Sequence, residues 1–404
     1  MTGVDPNLLI AMKRHGVVLV GILAFGCKQD SQDQFIRLSD RSPSVTTDKT
    51  GHFAFADGLA AVLIGDFPTG KWGFIDTQGK MVVNPQFDEV ESFADGLAAV
   101  RIGDYKTGRW GFIDTQGKMV VNPQLDATGA FADGLAAVRI GDYKTGRWGF
   151  IDKQGEMVIN PQFDEVESFA DGLAAVRTGV GNTGNWGFID TQGKMAIDPQ
   201  FDDAGSFADG LAAVRTGVGN TGKWGFIDTQ GKMVVNPQFD ATGAFADGLA
   251  EVRIGDDITG KWGFIDKQGK MVINPQFSFV LPFADGLAAV RIGDFLEGMC
   301  GFIDKQGKMV INPQFDGAWP FSDGLAAVRI GDDITGKWGF IDKQGKMVIN
   351  PQFSFVLPFA DGLAAVRIGD FLSGKWGFID KQGKMVINPQ FDDDADAEGL
   401  LQKC

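Results

Sequence analysis

The residues that could do chemistry in this chain recur instead of converging. Tryptophan stands at positions 72, 110, 148, 186, 224, 262, 338 and 376, one every 38 residues except for a single double gap, and Cys300 fills that gap. Eight indoles at one spacing suit either an aromatic ladder for sugars or cations, or a packed core. A Trp beside Gly in an alternating strand is expected to pack inward, so Trp72, Trp110, Trp148, Trp186, Trp224, Trp262, Trp338 and Trp376 are assigned to the repeat core. Aspartates recur at the same period, as at Asp95 before Gly96 and Asp114 in an ID-x-QG turn. Calcium needs six to eight converging oxygens. One Asp per hairpin, often beside Lys, reads as a turn former, and no metal or other cofactor is expected.

The remaining candidates are few. The only histidines are His15 and His52, both outside the repeats, and the three cysteines, Cys27, Cys300 and Cys404, match no zinc spacing. Nothing groups a nucleophile with a base. Carboxylate pairs could serve glycoside hydrolysis, but no carboxylate is read as standing apart from its copies in the other repeats. A non-enzymatic protein is therefore expected, with a hydrolase as the remote alternative. The net charge of −15, with no Lys/Arg block, argues against nucleic acid, whose binding needs a basic stripe.

The period defines the elements. Phe55, Phe93 and their equivalents as far as Phe359 keep the 38-residue spacing, giving nine copies over residues 55–396 without insertion or deletion. In the copy from Phe245 to Pro282, FADG is a turn signal, LAEVRIG a strand, DDITG a turn, KWGFID a second strand, DKQG a tight turn and KMVIN a third strand stopped by Pro275. Alternation places Ala250, Val252 and Ile254 on one face and Arg253 on the other. Each copy is thus expected to be a three-stranded antiparallel meander that cannot bury both faces alone and must stack on its neighbours. Propeller rings usually have four-stranded blades, four to eight in number. The fold class expected is all-β, an elongated, twisted tandem array of nine meanders, with a closed propeller-like ring as the alternative.

The string KWGFIDKQGKMVINPQF, preceded by FADGLAAVRIG, resembles the WG (KWG) repeat family of bacterial proteins. The resemblance implies a β-rich tandem array, often in exported or surface proteins, with no shared catalytic residue and no specified ligand. This chain departs from the pattern at Cys300 for Trp, Leu125 for Phe and Asp198 for Asn.

Ahead of the repeats, Lys13-Arg14-His15 precede an apolar run over 16–26 and then Cys27. A basic start and a short apolar stretch describe a secretory signal, and 11 residues are too few to span a bilayer core of about 30 Å. The segment 1–27 resembles a lipoprotein signal with Cys27 as the lipidated residue; ordinary cleavage after Ala24-Phe25-Gly26, giving a secreted chain, is the other reading. Residues 28–54 read as a polar tether and 397–404 as a C-terminal tail.

Differences between copies fall in the first turn and in the segment between repeats. Loop aromatics there are the candidate contacts: Tyr105, Tyr143, Phe279, Phe295, Trp319, Phe355 and Phe371. The expected function is an exported binding or scaffolding surface for proteins in the cell envelope, touching the membrane only through a lipid anchor. A carbohydrate or cell-wall glycan module is the alternative.

Overall fold

The structure is a computed structural model; it describes residues 53–392 apart from short stretches in the first turns (66–68, 105, 143, 180–183, 218–220, 295–296, 333 and 370–373). The signal segment, Cys27 and most of the tether lie outside the described residues, as do Tyr105, Tyr143, Phe295 and Phe371.

The described residues form nine small antiparallel sheets, one per repeat. Three strands of each sheet fall where the sequence pattern puts them. In repeat 6 these are Leu249–Ile254, Lys261–Asp266 and Met271–Phe277. The three-strand expectation is nevertheless too low, because eight sheets have four strands. The extra strand comes first and is built from the inter-repeat segment. It is only two residues long in Glu89–Val90, Ala241–Thr242 or Phe355–Val356, and six residues long with a bulge in Asp203–Ala208. Such short or interrupted pairing leaves no alternation for a sequence pattern to display.

Between the first and second strands, Asp-Gly forms a two-residue hairpin loop. Ala94 and Leu97 exchange backbone hydrogen bonds across Asp95 (φ 56°) and Gly96 (φ 84°). Both loop residues are left-handed, the geometry that matches the twist of a two-residue hairpin and that Asp and Gly tolerate. The last strand does not stop at its proline as expected but runs on through it, as Met119–Leu125 and Met271–Phe277. Asn-Pro forms a bulge that needs no ladder donor and presses its backbone onto the glycine of the WG pair. A side chain on Gly111 would lie 2.3 Å from the Val121 carbonyl oxygen, so only glycine fits there.

The elongated array is overturned; the sheets close into a ring, the propeller-like alternative. Each seam between neighbours repeats the same contacts. The Phe of one repeat's WGF strand meets the Phe before the next repeat's Asp-Gly turn edge to face, as in Phe112–Phe131 at 4.9 Å. The turn aspartate accepts a hydrogen bond from the next repeat's glycine amide, as from Gly134 N to Asp95 Oδ2 at 3.0 Å. The seam between repeats 9 and 1 has both: Phe378 meets Phe55 at 5.1 Å, and Gly58 N donates to Asp361 Oδ2 at 3.0 Å. Asp392 then pairs with Leu63, taking the place on sheet 1 that Asp88 takes on sheet 2. Residues from both ends of the ring share one apolar cluster. Phe53 lies in it, stacked on Trp376 at 4.8 Å, so the ring begins two residues inside the segment read as tether.

Closure explains the burial. Each sheet is covered on both faces, so all of Leu249–Arg253 is buried, Arg253 included. Ile254, on the same face as Ala250 and Val252, is 50% exposed because it ends the strand at the rim. Equivalent points on a ring separate as radius grows. The Asp-Gly turns, which touch their own equivalents in both neighbours, therefore lie nearest the axis at their end, and the half-exposed last strands lie outside.

A closed ring makes its first and last seams equal to the rest. Phe55→Ala and Phe131→Ala should each lower stability by about 3–5 kcal/mol, read as the shift in urea unfolding. A near-neutral Phe55→Ala beside a costly Phe131→Ala would mean that the ends do not meet.

Candidate functional site

The indoles behave as core. Trp72, Trp186, Trp224, Trp262, Trp338 and Trp376 are buried, while Trp110 and Trp148 are half-buried. Each sits opposite the penultimate residue of the second strand, usually Arg, as in Arg215↔Trp224. In six repeats that guanidinium lies 5.5–5.8 Å from the ring centroid. A desolvated cation over an indole face contributes about 2 kcal/mol. The pairing places the arginine with the tryptophan inside a seam. The sequence pattern puts Arg253 on the face opposite Val252, which holds; it does not show that this face is covered too.

The recurring aspartates have structural work. Asp114 Oδ1 accepts the amides of Gln116 and Lys118 at 3.0 and 2.9 Å, which fixes its turn. Asp256 accepts from the Thr259 hydroxyl and from the amides of Thr259 and Ile258, and these bonds hold its carboxyl down at about 2. The Asp-Gly aspartates bridge neighbouring sheets. Five of them, Asp95 among them, also have a lysine of the following repeat within 3.6–3.9 Å.

Ninefold equivalence fails in the first strands, the segments where sequence differences concentrate. In repeats 2 and 4 these strands carry Glu89 and Glu165, which pair with Arg101 and Arg177. In repeat 5, Asp203 lies 3.8 Å from Arg215. In repeats 7 and 9 the same position is Phe279 and Phe355, and repeat 8 carries Trp319 two residues further along. These three candidate contacts are brought to one side of the ring, half-buried, each followed within three residues by a half-buried proline.

Around them runs a track of rings. Trp319 stacks on Trp338 at 6.3 Å, and Phe355 sits edge-on to both Trp338 and Trp376 at 6.0 Å. Trp376 stacks on Phe53, and Phe53 lies 5.8 Å from Trp72. The track spans repeats 8, 9 and 1 and crosses the closing seam. One side of the ring is therefore aromatic and the other carries paired carboxylates.

Two sites depart from the repeat within the core. Cys300 replaces the tryptophan of repeat 7; it is buried and free, and burial pushes its thiol upward despite the nearby Arg291. The expectation that no carboxylate stands apart from its copies is contradicted by Glu251. Eight repeats have alanine there, as at Ala99 and Ala289, and repeat 6 has LAEVRI. Glu251 is 1% exposed, and no other residue among those described hydrogen-bonds its carboxyl oxygens; only its own backbone amide favours the ionised form, and burial outweighs it. Its carboxyl lies so close over Gly243 that an added Cβ there would meet Oε2 at 2.4 Å. Burial lifts it to about 7. The sequence carries this difference as a single letter, Glu251 where every other copy has alanine.

The model of the WG containing repeat matches nine stretches, from residues 72–105 to 376–395, and these cover well over half of the chain. The chain belongs to the WG repeat family. No curated protein matches it. Among solved structures, one described as a eukaryotic initiation factor is 12% identical over 80% of this chain and 93% of that one, with a TM-score of 0.58. At that identity the likeness speaks for the fold alone. A prolyl oligopeptidase B from Galerina marginata (9% identity, 67% of this chain, 51% of that one) gives a TM-score of 0.37. TolB from Acinetobacter baumannii (10% identity, 62% and 78%) gives 0.30.

Repeat 9 shows that a WG tryptophan fits beside the same inter-repeat sequence, SFVLPF, that repeat 7 carries. Cys300→Trp should therefore fold and raise stability by about 1–2 kcal/mol, the lower part of the range for burying a large apolar side chain. Urea unfolding checks this; a loss of stability would show that repeat 7 has repacked around the small side chain.

Proposed function

We propose that this WG repeat protein is a non-enzymatic scaffold, exported to the cell envelope, whose ring presents one aromatic side to a protein partner. The observation that carries this reading is the confinement of Phe279, Trp319 and Phe355 to adjacent repeats 7–9. Nine equal copies would give a ring with no preferred side. Half-buried aromatics with neighbouring prolines give it an anchor patch that is rigid before binding, and so loses little side-chain entropy on contact.

Export rests on the basic and apolar residues 13–26 and on Cys27, read as a lipid attachment point with secretion as the alternative. The chemistry described above belongs to turns and seams, which supports a binding role over a catalytic one. A cell-wall glycan is the second reading. It is favoured by the half-buried Trp319 ring, which stacks on Trp338 and extends the track of aromatic faces on which sugar rings could lie.

Repeats 3 and 6 supply neutral replacements, since they have Gly where repeat 8 has Trp319 and Ala where repeat 9 has Phe355. The test is a crosslinking pull-down from intact envelopes with the full chain and with the W319G/F355A double variant. A protein enriched by the native chain and lost by at least tenfold with the double variant is the expected result. Equal enrichment by both would place contact elsewhere. Retention of the native chain on purified cell-wall glycan, with no protein enriched, would favour the second reading.

A further inference from the structure

Glu251 sits in the seam between repeats 6 and 7. Its equivalent in the next seam, Ala289, packs with Leu287, Phe302, Phe321 and Val328. The matching residues around Glu251 are Leu249, Phe264, Phe283 and Val290, all members of one apolar cluster. A carboxyl thus occupies a site built for a methyl group. Removing a carboxylate from water without a partner costs far more than removing the neutral acid.

No nearby charge offsets that cost. Asp240, at the start of the adjacent first strand, is held by Lys223 and the Gly255 amide. Arg253, two residues along, pairs with Asp257 and covers Trp262. Across the seam, Arg291 donates to the Asp316 carbonyl oxygen at 2.9 Å. The turn aspartates Asp247 and Asp285 accept from Gly286 and Gly324 and lie near Lys305 and Lys343. On the third strand the residue directly opposite is Phe264.

We propose that Glu251 is a proton-operated latch: protonated, it lets sheets 6 and 7 close; ionised, it loosens that one seam of the ring. The closed seam holds the proton to about 7, whereas an open, hydrated carboxyl has the ordinary value of 4.5. Closure is strongest below 4.5. Opening then grows about tenfold per pH unit between the two values and levels off above 7, a total change of roughly 300-fold. The latch also reaches the candidate contact surface. Val280, beside Phe279 in the first strand of repeat 7, belongs to the same cluster, so loosening the seam frees the strand that carries Phe279.

The ring contains its own control, because the seam between repeats 8 and 9 has Ala327 at the equivalent position. Amide hydrogen exchange on the full chain between pH 5 and pH 7, corrected for intrinsic exchange, reads both seams at once. The strands Leu249–Ile254 and Leu287–Ile292 should open about tenfold more per pH unit, while Leu325–Ile330 and Leu363–Ile368 stay level. Glu251→Ala, which restores the residue of the other eight repeats, should remove the difference. Glu251→Gln, neutral at every pH, should also flatten the profile. An equal pH response in both seams, or one that survives Glu251→Ala, overturns the latch.

Discussion

The fold depends on one contact made nine times: a phenylalanine from each WGF strand meeting, edge to face, the phenylalanine that precedes the next repeat's Asp-Gly turn. Centroids lie 4.8–5.1 Å apart at all nine seams, including the one that joins the two ends. Beyond the area it buries, such a pair contributes about 0.5–1.5 kcal/mol. Its greater role is angular. Together with the aspartate-to-glycine bond near the axis, it sets one rotation per repeat, and a constant rotation in one sense ends in a closed circle. Closure gives each sheet two neighbours, covers both faces of every second strand, and makes arginine burial tolerable over an indole. Asp392 completes sheet 1 much as a stitch completes a seam, so the ring needs no polar capping repeat of the kind an open array requires.

The same repetition explains how single departures are tolerated. Each repeat contacts only its two neighbours, so Cys300 or Glu251 strains one seam and leaves the others intact. That makes the ring a frame on which individual seams and first strands can differ. The aromatic side over repeats 7–9 and the acid in the seam between repeats 6 and 7 are both variations of this kind, placed where the fold needs no particular residue beyond a small or apolar one.

Much of this was legible from spacing. The three long strands, the Asp-Gly hairpins and the glycine-closed turns all follow from residues whose backbone demands are local, and the family resemblance rested on the same letters. The proline, read as a strand stop, is instead a bulge the strand passes through. The core role of Trp224 followed from its neighbour Gly225. The first strands did not show, because two paired residues such as Ala241–Thr242 have no period. Closure did not show either. It depends on the rotation per seam, which no single repeat encodes, and general expectations of blade number pointed to an open array. The alternation that separates Arg253 from Ala250 and Val252 holds, but it does not tell that both faces are covered, because alternation reports burial only when one face of a sheet is wet. Glu251 differs from its copies by one letter, and its significance appears only once the second strand is seen to be dry on both faces.

Closure is the claim on which seam equivalence, two-sided burial and the placement of the aromatic side all rest. It is tested most directly by distances between spin labels on exposed equivalent lysines, with the native cysteines replaced. Lys80, Lys118 and Lys384 occupy the same turn position in repeats 1, 2 and 9. A closed ring predicts that the 80–384 separation equals the 80–118 separation, because repeats 9 and 1 are neighbours. A long 80–384 distance beside a short 80–118 distance would contradict the ring and restore the open array.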